Sequence, residues 1–254
     1  MPAEGCTDDA VLGGRLVLRQ PRIGHRVGHD AILLAAATEA RGGDHAIELG
    51  AGVGAAGLAL AQRIPGLQLT LVEIDPSLAA LAEHNAARNG LGDRVRIAVL
   101  DVTGPDDAFA GKGILPGGAA CVLMNPPFNN PARQSVSPVA QRRLAHAASP
   151  GTLRQWVERA AHLLAPAGAL TLIWRADGLG DVLSALEKGF GGLAVMPVYP
   201  RPDAAAIRVL VRAVKGSRVG LAVAPGLTLN DTHARPSVQA EAVLRGGETL
   251  RWPD

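Results

Sequence analysis

Three groups of residues in this chain are typed and spaced for joint chemistry. The first is a carboxamide held on stiff backbone, Asn125 in Asn125-Pro126-Pro127-Phe128. It follows Ala119-Ala120-Cys121-Val122-Leu123-Met124, whose length and bulk predict a buried strand. Two consecutive prolines forbid helix and remove two backbone donors. A carboxamide at a strand end with an aromatic ring close behind makes a clamp for a planar amino or amide group. Asn125 and the Pro126 carbonyl accept its hydrogens, Pro127 stiffens the turn, and Phe128 stacks on its plane. The stretch also has a plainer reading, a proline-marked exit from a strand with Phe128 in the core.

The second group is Glu48-Leu49-Gly50-Ala51-Gly52-Val53-Gly54. Glycines serve where φ is positive and where a ligand approaches backbone closely. Read as Gly50-x-Gly52-x-x-Ala55, the run matches a dinucleotide fingerprint, with Glu73 the expected ~20 residues on to hold a ribose. Read as Glu48-x-Gly50-x-Gly52-x-Gly54, it carries an acid inside the motif. A carboxylate there opposes a pyrophosphate and suits a cationic, amino-acid-bearing nucleoside such as S-adenosylmethionine. In either reading Glu73 takes the ribose hydroxyls. Asp101, the third group, is placed to accept from an adenine amino group, and Ile74 and Val102 flank these two acids.

A frame must bring these residues into line. From His45 the pattern runs strand, helix, strand, helix, with strands at 46–49, 67–72, 95–100 and 119–124 and helices at 55–63 and 77–88, the second capped by Ser77. That order implies a mostly parallel sheet with helices on both faces, which binds ligands at the carboxyl ends of its strands. Gly50, Glu73, Asp101 and Asn125 all sit at such ends. Residues 129–151 read as a long polar loop of the kind that is usually functional. Helices at 153–164 and 180–188 and strands at 169–174, 193–199 and 207–213 complete the unit. Upstream, residues 1–10 read as frayed, 15–20 and 23–27 as a hairpin, and Asp30 as the cap of a helix reaching about Ala40. The expected division is an N-terminal extension over 1–43, a catalytic unit over 44–218 and a peripheral segment over 219–254.

Composition excludes several classes. With 254 residues and a hydrophobic fraction of 48%, the chain can bury a sizeable core. A net charge of +2 is too small to argue for nucleic acid alone. Cys6 and Cys121 suggest neither a disulfide framework nor a metal site. No signal peptide or membrane-spanning run is read, so a reducing, cytoplasmic setting is expected. Basic residues cluster at Arg15, Arg19, Arg22 and Arg26 with His25 and His29, then at Arg133, Arg142, Arg143 and His146, then at Arg208, Arg212, Lys215 and Arg218. Each cluster is either a solvated face or an anion-binding patch.

Glu48 through Gly54 with Glu73, Asp101 and Asn125-Pro126-Pro127-Phe128, in that order, resembles the class I S-adenosylmethionine-dependent methyltransferases that modify amino groups on planar systems. Gly28-His29-Asp30-Ala31-Ile32-Leu33-Leu34 and Ala206-Ile207-Arg208-Val209 through Lys215-Gly216 resemble segments of the bacterial tRNA1(Val) adenine N6-methyltransferases, with His29 where that group carries Thr. The resemblance covers roughly residues 8–218 and implies a Rossmann-like α/β fold with a seven-stranded sheet and a small N-terminal hairpin-and-helix extension. It implies methyl transfer to an exocyclic nitrogen, with Glu48, Gly50, Ala51, Gly52, Gly54, Glu73, Ile74, Asp101, Val102 and Asn125 around the cofactor. Asp30, Arg26, Arg133, Arg142 and Arg208 would then face a tRNA substrate. Glutamine methyltransferases share the clamp but carry a larger N-terminal helical domain. A nicotinamide-dependent oxidoreductase and a non-catalytic RNA-binding module on the same fold are the other readings.

Overall fold

The computed structural model describes residues 5–23, 26–127 and 150–253. Phe128, Arg133, Arg142, Arg143, His146 and His25 lie outside the described residues. The chain opens with an antiparallel hairpin of β1 (Cys6–Val11) and β2 (Leu16–Pro21), followed by α1 (His29–Ala37). The alternating part is β3 (His45–Leu49), α2 (Ala55–Arg63), β4 (Gln68–Glu73), α3 (Pro76–Arg88), β5 (Val95–Val99), α4 (Asp106–Ala110) and β6 (Ala119–Met124). Then come α5 (Pro150–Leu163), β7 (Leu164–Arg175), α6 (Leu179–Leu186), β8 (Phe190–Tyr199) and β9 (Arg208–Lys215). The tail adds β10 (Ala222–Val223), β11 (Leu227–Thr228) and α7 (Val238–Leu244).

The seven expected sheet strands are β3 to β9, and the sheet order is β10-β8-β9-β7-β6-β3-β4-β5, with β11 also on β8. Strands β5, β4, β3, β6 and β7 are mutually parallel, while β9 runs antiparallel between β7 and β8. The tail raises the count to nine strands by laying two short pieces along β8. One face of the sheet packs on α1, α2 and the hairpin, the other on α5, α6 and Phe109 of α4. Burial on both faces explains why these strands read as continuous apolar runs.

Three expectations change upstream. The partner of β2 is not 23–27 but Cys6–Val11, within the stretch read as frayed. Its register sets Asp8 opposite Arg19. Asp8 pairs with Arg19 at 2.9 Å and Arg88 at 2.7 Å, and Asp9 with Arg26 at 2.9 Å. Hydrogen bonds from Arg19 and Arg88 pull the Asp8 carboxyl down to about 2. Two of the basic residues, Arg19 and Arg26, are therefore paired with acids of their own hairpin, while Arg15 and Arg22 donate to backbone carbonyls. Asp30 does not cap α1, whose N-cap is Gly28; it lies in the first turn and pairs with Arg208 at 2.8 Å. Ser77 likewise yields to Asp75, whose carboxylate accepts from the Ser77 and Leu78 amides while Pro76 takes the first helical position.

The tail is an integral part of the core rather than a peripheral piece. Trp252 Nε1 donates to Ala37 O at 2.7 Å, and the Leu250 amide donates to Ala36 O. Arg63 donates to Ala35 O and Thr38 O. The carbonyls that end every helix need outside donors when buried, and here the tail and α2 supply them.

The hairpin is held by two carboxamides one helical turn apart. Asn85 Oδ1 accepts from the Arg19 amide at 2.7 Å, and its Nδ2 donates to Arg19 O and to Val53 O at 3.0 Å each. Asn89 repeats the pairing on Val17. The two side chains act as a strand edge for β2 and tie it to the glycine turn. Asn85 is fully buried, so Asn85→Ala strands three backbone groups. At about 1–3 kcal/mol per unsatisfied group, a loss of at least about 3 kcal/mol in urea unfolding is expected.

Candidate active site

Parallel pairing fixes which residues meet at the carboxyl edge. Leu49 of β3 is opposite Val72 of β4 on one side and Met124 of β6 on the other. Gly50 and Asn125, which follow β3 and β6, therefore leave the sheet level with Glu73, the last residue of β4. The strand order reverses at β3, with β4 and β5 to one side and β6 and β7 to the other. This is the switch point where open α/β sheets bind ligands.

The glycine turn is sewn to β4, since the Gly50 and Ala51 amides both donate to Val72 O at 2.9 Å. Gly50, Gly52 and Gly54 have φ of +71°, +57° and +85°. Their surroundings differ. A Cβ on Gly50 would drive into the indole of Trp156, 2.9 Å from Cζ3, and one on Gly54 would lie 2.9 Å from Leu71 Cδ1. A Cβ on Gly52 would meet nothing within 4 Å among the described residues. Gly50 and Gly54 are thus glycines for internal packing, and Gly52 is the one of the three with open space beside it among the described residues.

Carboxylates dominate this edge. Glu73 is buried and accepts from the Gly52 amide at 2.7 Å and the Asp75 amide at 2.8 Å. The amide that a pyrophosphate would seek is thus held by a negative group, which disfavours the dinucleotide reading. Ile74, next in the chain, leaves half its surface exposed beside Glu73. Asp101 is exposed at the end of β5, its Oδ1 accepting from Thr103 N and Oγ1 at 2.8 Å each, with Val102 buried behind it.

Glu48 differs from expectation. It is 4% exposed, and Oε2 accepts from the Gly57 amide at 2.7 Å, inside the first turn of α2. That helix begins at Gly54 with no side-chain cap of its own, and Glu48 supplies the acceptor. Burial pushes its carboxyl up to about 8; the Gly57 amide opposes this and the charge of Glu73 adds to it. Burial thus favours the protonated form of Glu48, whose side chain serves as the acceptor for the first turn of α2.

Asn125 follows directly on β6 at the carboxyl edge. Among the described residues its Oδ1 is buried and accepts no hydrogen bond. An unmet buried carbonyl costs about 1–3 kcal/mol, so the proline-stiffened backbone holds open an acceptor that folding alone leaves unused.

The residue model of the methyltransferase small domain matches residues 26–197. The chain belongs to the methyltransferase small domain family. Among curated relatives, this family member is 35% identical over 162 residues to a tRNA1(Val) (adenine(37)-N6)-methyltransferase of Porphyromonas gingivalis strain W83, covering 62% of this chain and 61% of that one. It is 29% identical over 168 residues to the protein of that name from Dickeya chrysanthemi, covering 66% and 63%. The matches thus span about three fifths of each relative's length. A solved structure described as a predicted O-methyltransferase, Atu636 from Agrobacterium tumefaciens, superposes with a TM-score of 0.74 at 27% identity, covering 87% of this chain and 98% of that one. TrmN from Thermus thermophilus shares the fold, with a TM-score of 0.51 at 19% identity over 74% of this chain and 48% of that one.

The structure brings Gly50, Ala51, Gly52, Gly54, Glu73, Ile74, Asp101, Val102, Asn125, Pro126 and Pro127 of this methyltransferase-family chain to one edge of the sheet. Glu48 lies beneath it, and Arg26 and Arg208 face acids of the chain itself. Trp156 behind Gly50 was not foreseen, because nothing in the spacing of a helical aromatic points to a contact so far back in the chain.

Glu48 also gives a pH test. The unfolded chain loses this proton near 4.5 and the folded chain near 8, so stability falls as pH rises through that window. Glu48→Gln keeps an acceptor for Gly57 and cannot ionise. The Tm of Glu48→Gln should gain on the wild type steadily between pH 5 and pH 8; parallel Tm curves would contradict a buried neutral acid.

Proposed function

We infer that the chain is an S-adenosylmethionine-dependent N-methyltransferase acting on an exocyclic nitrogen, best read as the adenine amino group of a tRNA. The observation that carries this is the unmet, buried Oδ1 of Asn125 at the switch point, one strand from the opening at Gly52. An acceptor on rigid backbone fits an N–H donor. It is not a base, and a hydroxyl acceptor would need one; this favours nitrogen over the oxygen named for the Agrobacterium relative. The name shared by the Porphyromonas and Dickeya relatives points to adenine in tRNA, and such an acceptor implies the cytoplasmic compartment.

The residues present fit the cofactor. Gly52 leaves room on the turn, Glu73 offers a carboxylate to a diol, Ile74 an apolar surface to a base, and Asp101 an acceptor to an amino group. An acidic edge suits a sulfonium and an ammonium better than phosphates. When bound, the cofactor supplies an electrophilic methyl group and departs as a neutral thioether. The chain's own contribution is to position the acceptor. Asn125 Oδ1 and the Pro126 carbonyl take the two N–H groups, which turns the nitrogen lone pair out of conjugation with the ring. An adenine in folded RNA must first be unstacked to reach them. The Asp30–Arg208 pair sits on the same edge, at the first turn of α1 and the start of β9.

Asn125→Ala should bind S-adenosylmethionine within about threefold of wild type by calorimetry. It should lose at least about 10²-fold in methyl transfer to bulk tRNA, the scale expected when a positioning contact is removed. Nucleoside mass spectrometry should show N6-methyladenosine as the wild-type product. Transfer by the variant at the wild-type rate, or a methyl group found only on protein or hydroxyl, would overturn the reading.

A further inference from the structure

Helix α5 touches both loops that wall the cleft, through two side chains that the reaction itself does not use. Trp156, 8% exposed, presses its indole on Gly50 at the start of the glycine turn. One turn further along, Arg159 grips the loop that follows Asp101. Its Nε donates to Val102 O at 3.1 Å, one terminal nitrogen donates to Gly104 O at 2.5 Å, and the other pairs with Asp106 at 2.5 Å. The guanidinium also lies 4.3 Å from the centre of the Phe109 ring. A cavity of about 240 Å³ opens between this helix and the loop, lined by Val102, Thr103, Asp106, Gln155, Arg159 and His162 among others. Beside the apolar packing of Val102 and Phe109 against the helix, the bonds of Arg159 tie the loop to it across that gap.

We propose that α5 is a brace that sets the spacing between the glycine turn and the Asp101 loop, with Trp156 and Arg159 as positioning residues for the cofactor. The proposal rests on the S-adenosylmethionine reading. Gly52 and Glu73 stand on one side of the ligand and Asp101 and Val102 on the other, so a cofactor spanning them feels any change in their separation. Arg159 satisfies two backbone carbonyls and a carboxylate at once because its guanidinium is a flat, multi-pronged donor. A lysine ammonium is a point donor and cannot span the three. Trp156 acts by bulk: it closes the space behind Gly50, and that space must stay closed for the turn to keep its height above the sheet.

The test separates bracing from general destabilisation. Arg94 makes a comparable triple grip at the opposite edge, on Ile64 O, Leu67 O and Ala61 O. Arg159→Met, Arg159→Lys, Trp156→Phe and Arg94→Met are compared with wild type by Tm, by calorimetric Kd for S-adenosylmethionine, and by KM and kcat on bulk tRNA. Arg159→Met should raise Kd and KM for the cofactor about tenfold, with kcat at saturation within about twofold. Arg159→Lys should fall between, Trp156→Phe should raise both constants several-fold, and Arg94→Met should lower Tm with no change in Kd or KM. Wild-type Kd in soluble Arg159→Lys and Trp156→Phe, or an equal rise in Arg94→Met at equal Tm loss, overturns the brace while leaving the proposed activity standing. A wild-type protein that does not bind the cofactor overturns both.

Discussion

Everything at the carboxyl edge depends on one constraint, that β3 is paired in register on both sides. Because Leu49 faces Val72 and Met124, the turn at Gly50, the acid at Glu73 and the carboxamide at Asn125 emerge together. Slipping β6 by one residue would invert its faces and carry Asn125 either into the sheet or one residue beyond the edge. The double acceptance at Val72 O adds to the constraint by tying the turn down to the neighbouring strand. Glycine is required at 50 and 54 by positive φ and again by lack of room, with Trp156 and Leu71 already in place. Of the three glycines, only Gly52 has no described atom within 4 Å of where a Cβ would stand.

The charges are arranged with the same economy. Glu48, Glu73 and Asp101 gather near the edge, yet each has a backbone donor to answer it. Glu48 is driven toward neutrality by burial, and two acids at close quarters need not both be charged. Many of the arginines are committed elsewhere. Arg19 and Arg26 answer the acids of β1, Arg63 and Arg94 answer the carbonyls that end helices, and Arg159 answers a loop. A count of basic residues along the chain therefore overstates the surface left for phosphates.

The order of strands and helices was legible because each parallel strand is one apolar run closed by Gly, Pro or an acid; β6 and α2 were bounded to the residue. The edge residues were legible for the same reason, since a strand's end can be read locally. What could not be read is what only long-range register reveals. Asp8 and Asp9 look like a polar terminus until β1 sets them against Arg19 and Arg26. That Glu48 also serves α2 is visible only once its carboxyl is found on the Gly57 amide. Asn85 and Asn89 look like surface residues of a helix until their amides are found on β2. Helix α7 was missed because seven residues between glycines and prolines give too short a period to register.

Helix α1 joins two places that are far apart in the chain. Its first turn presents Asp30 to Arg208 at the edge of the cleft, and its last carbonyls receive Leu250 and Trp252. Nine residues at about 1.5 Å each make it a rigid strut of roughly 13 Å. Cutting the chain at residue 218 would therefore not yield a smaller working unit. It would uncover the apolar flank against which Ala240, Val243 and Leu250 pack, leave two buried carbonyls without donors, and free the strut to tilt at the end that carries Asp30.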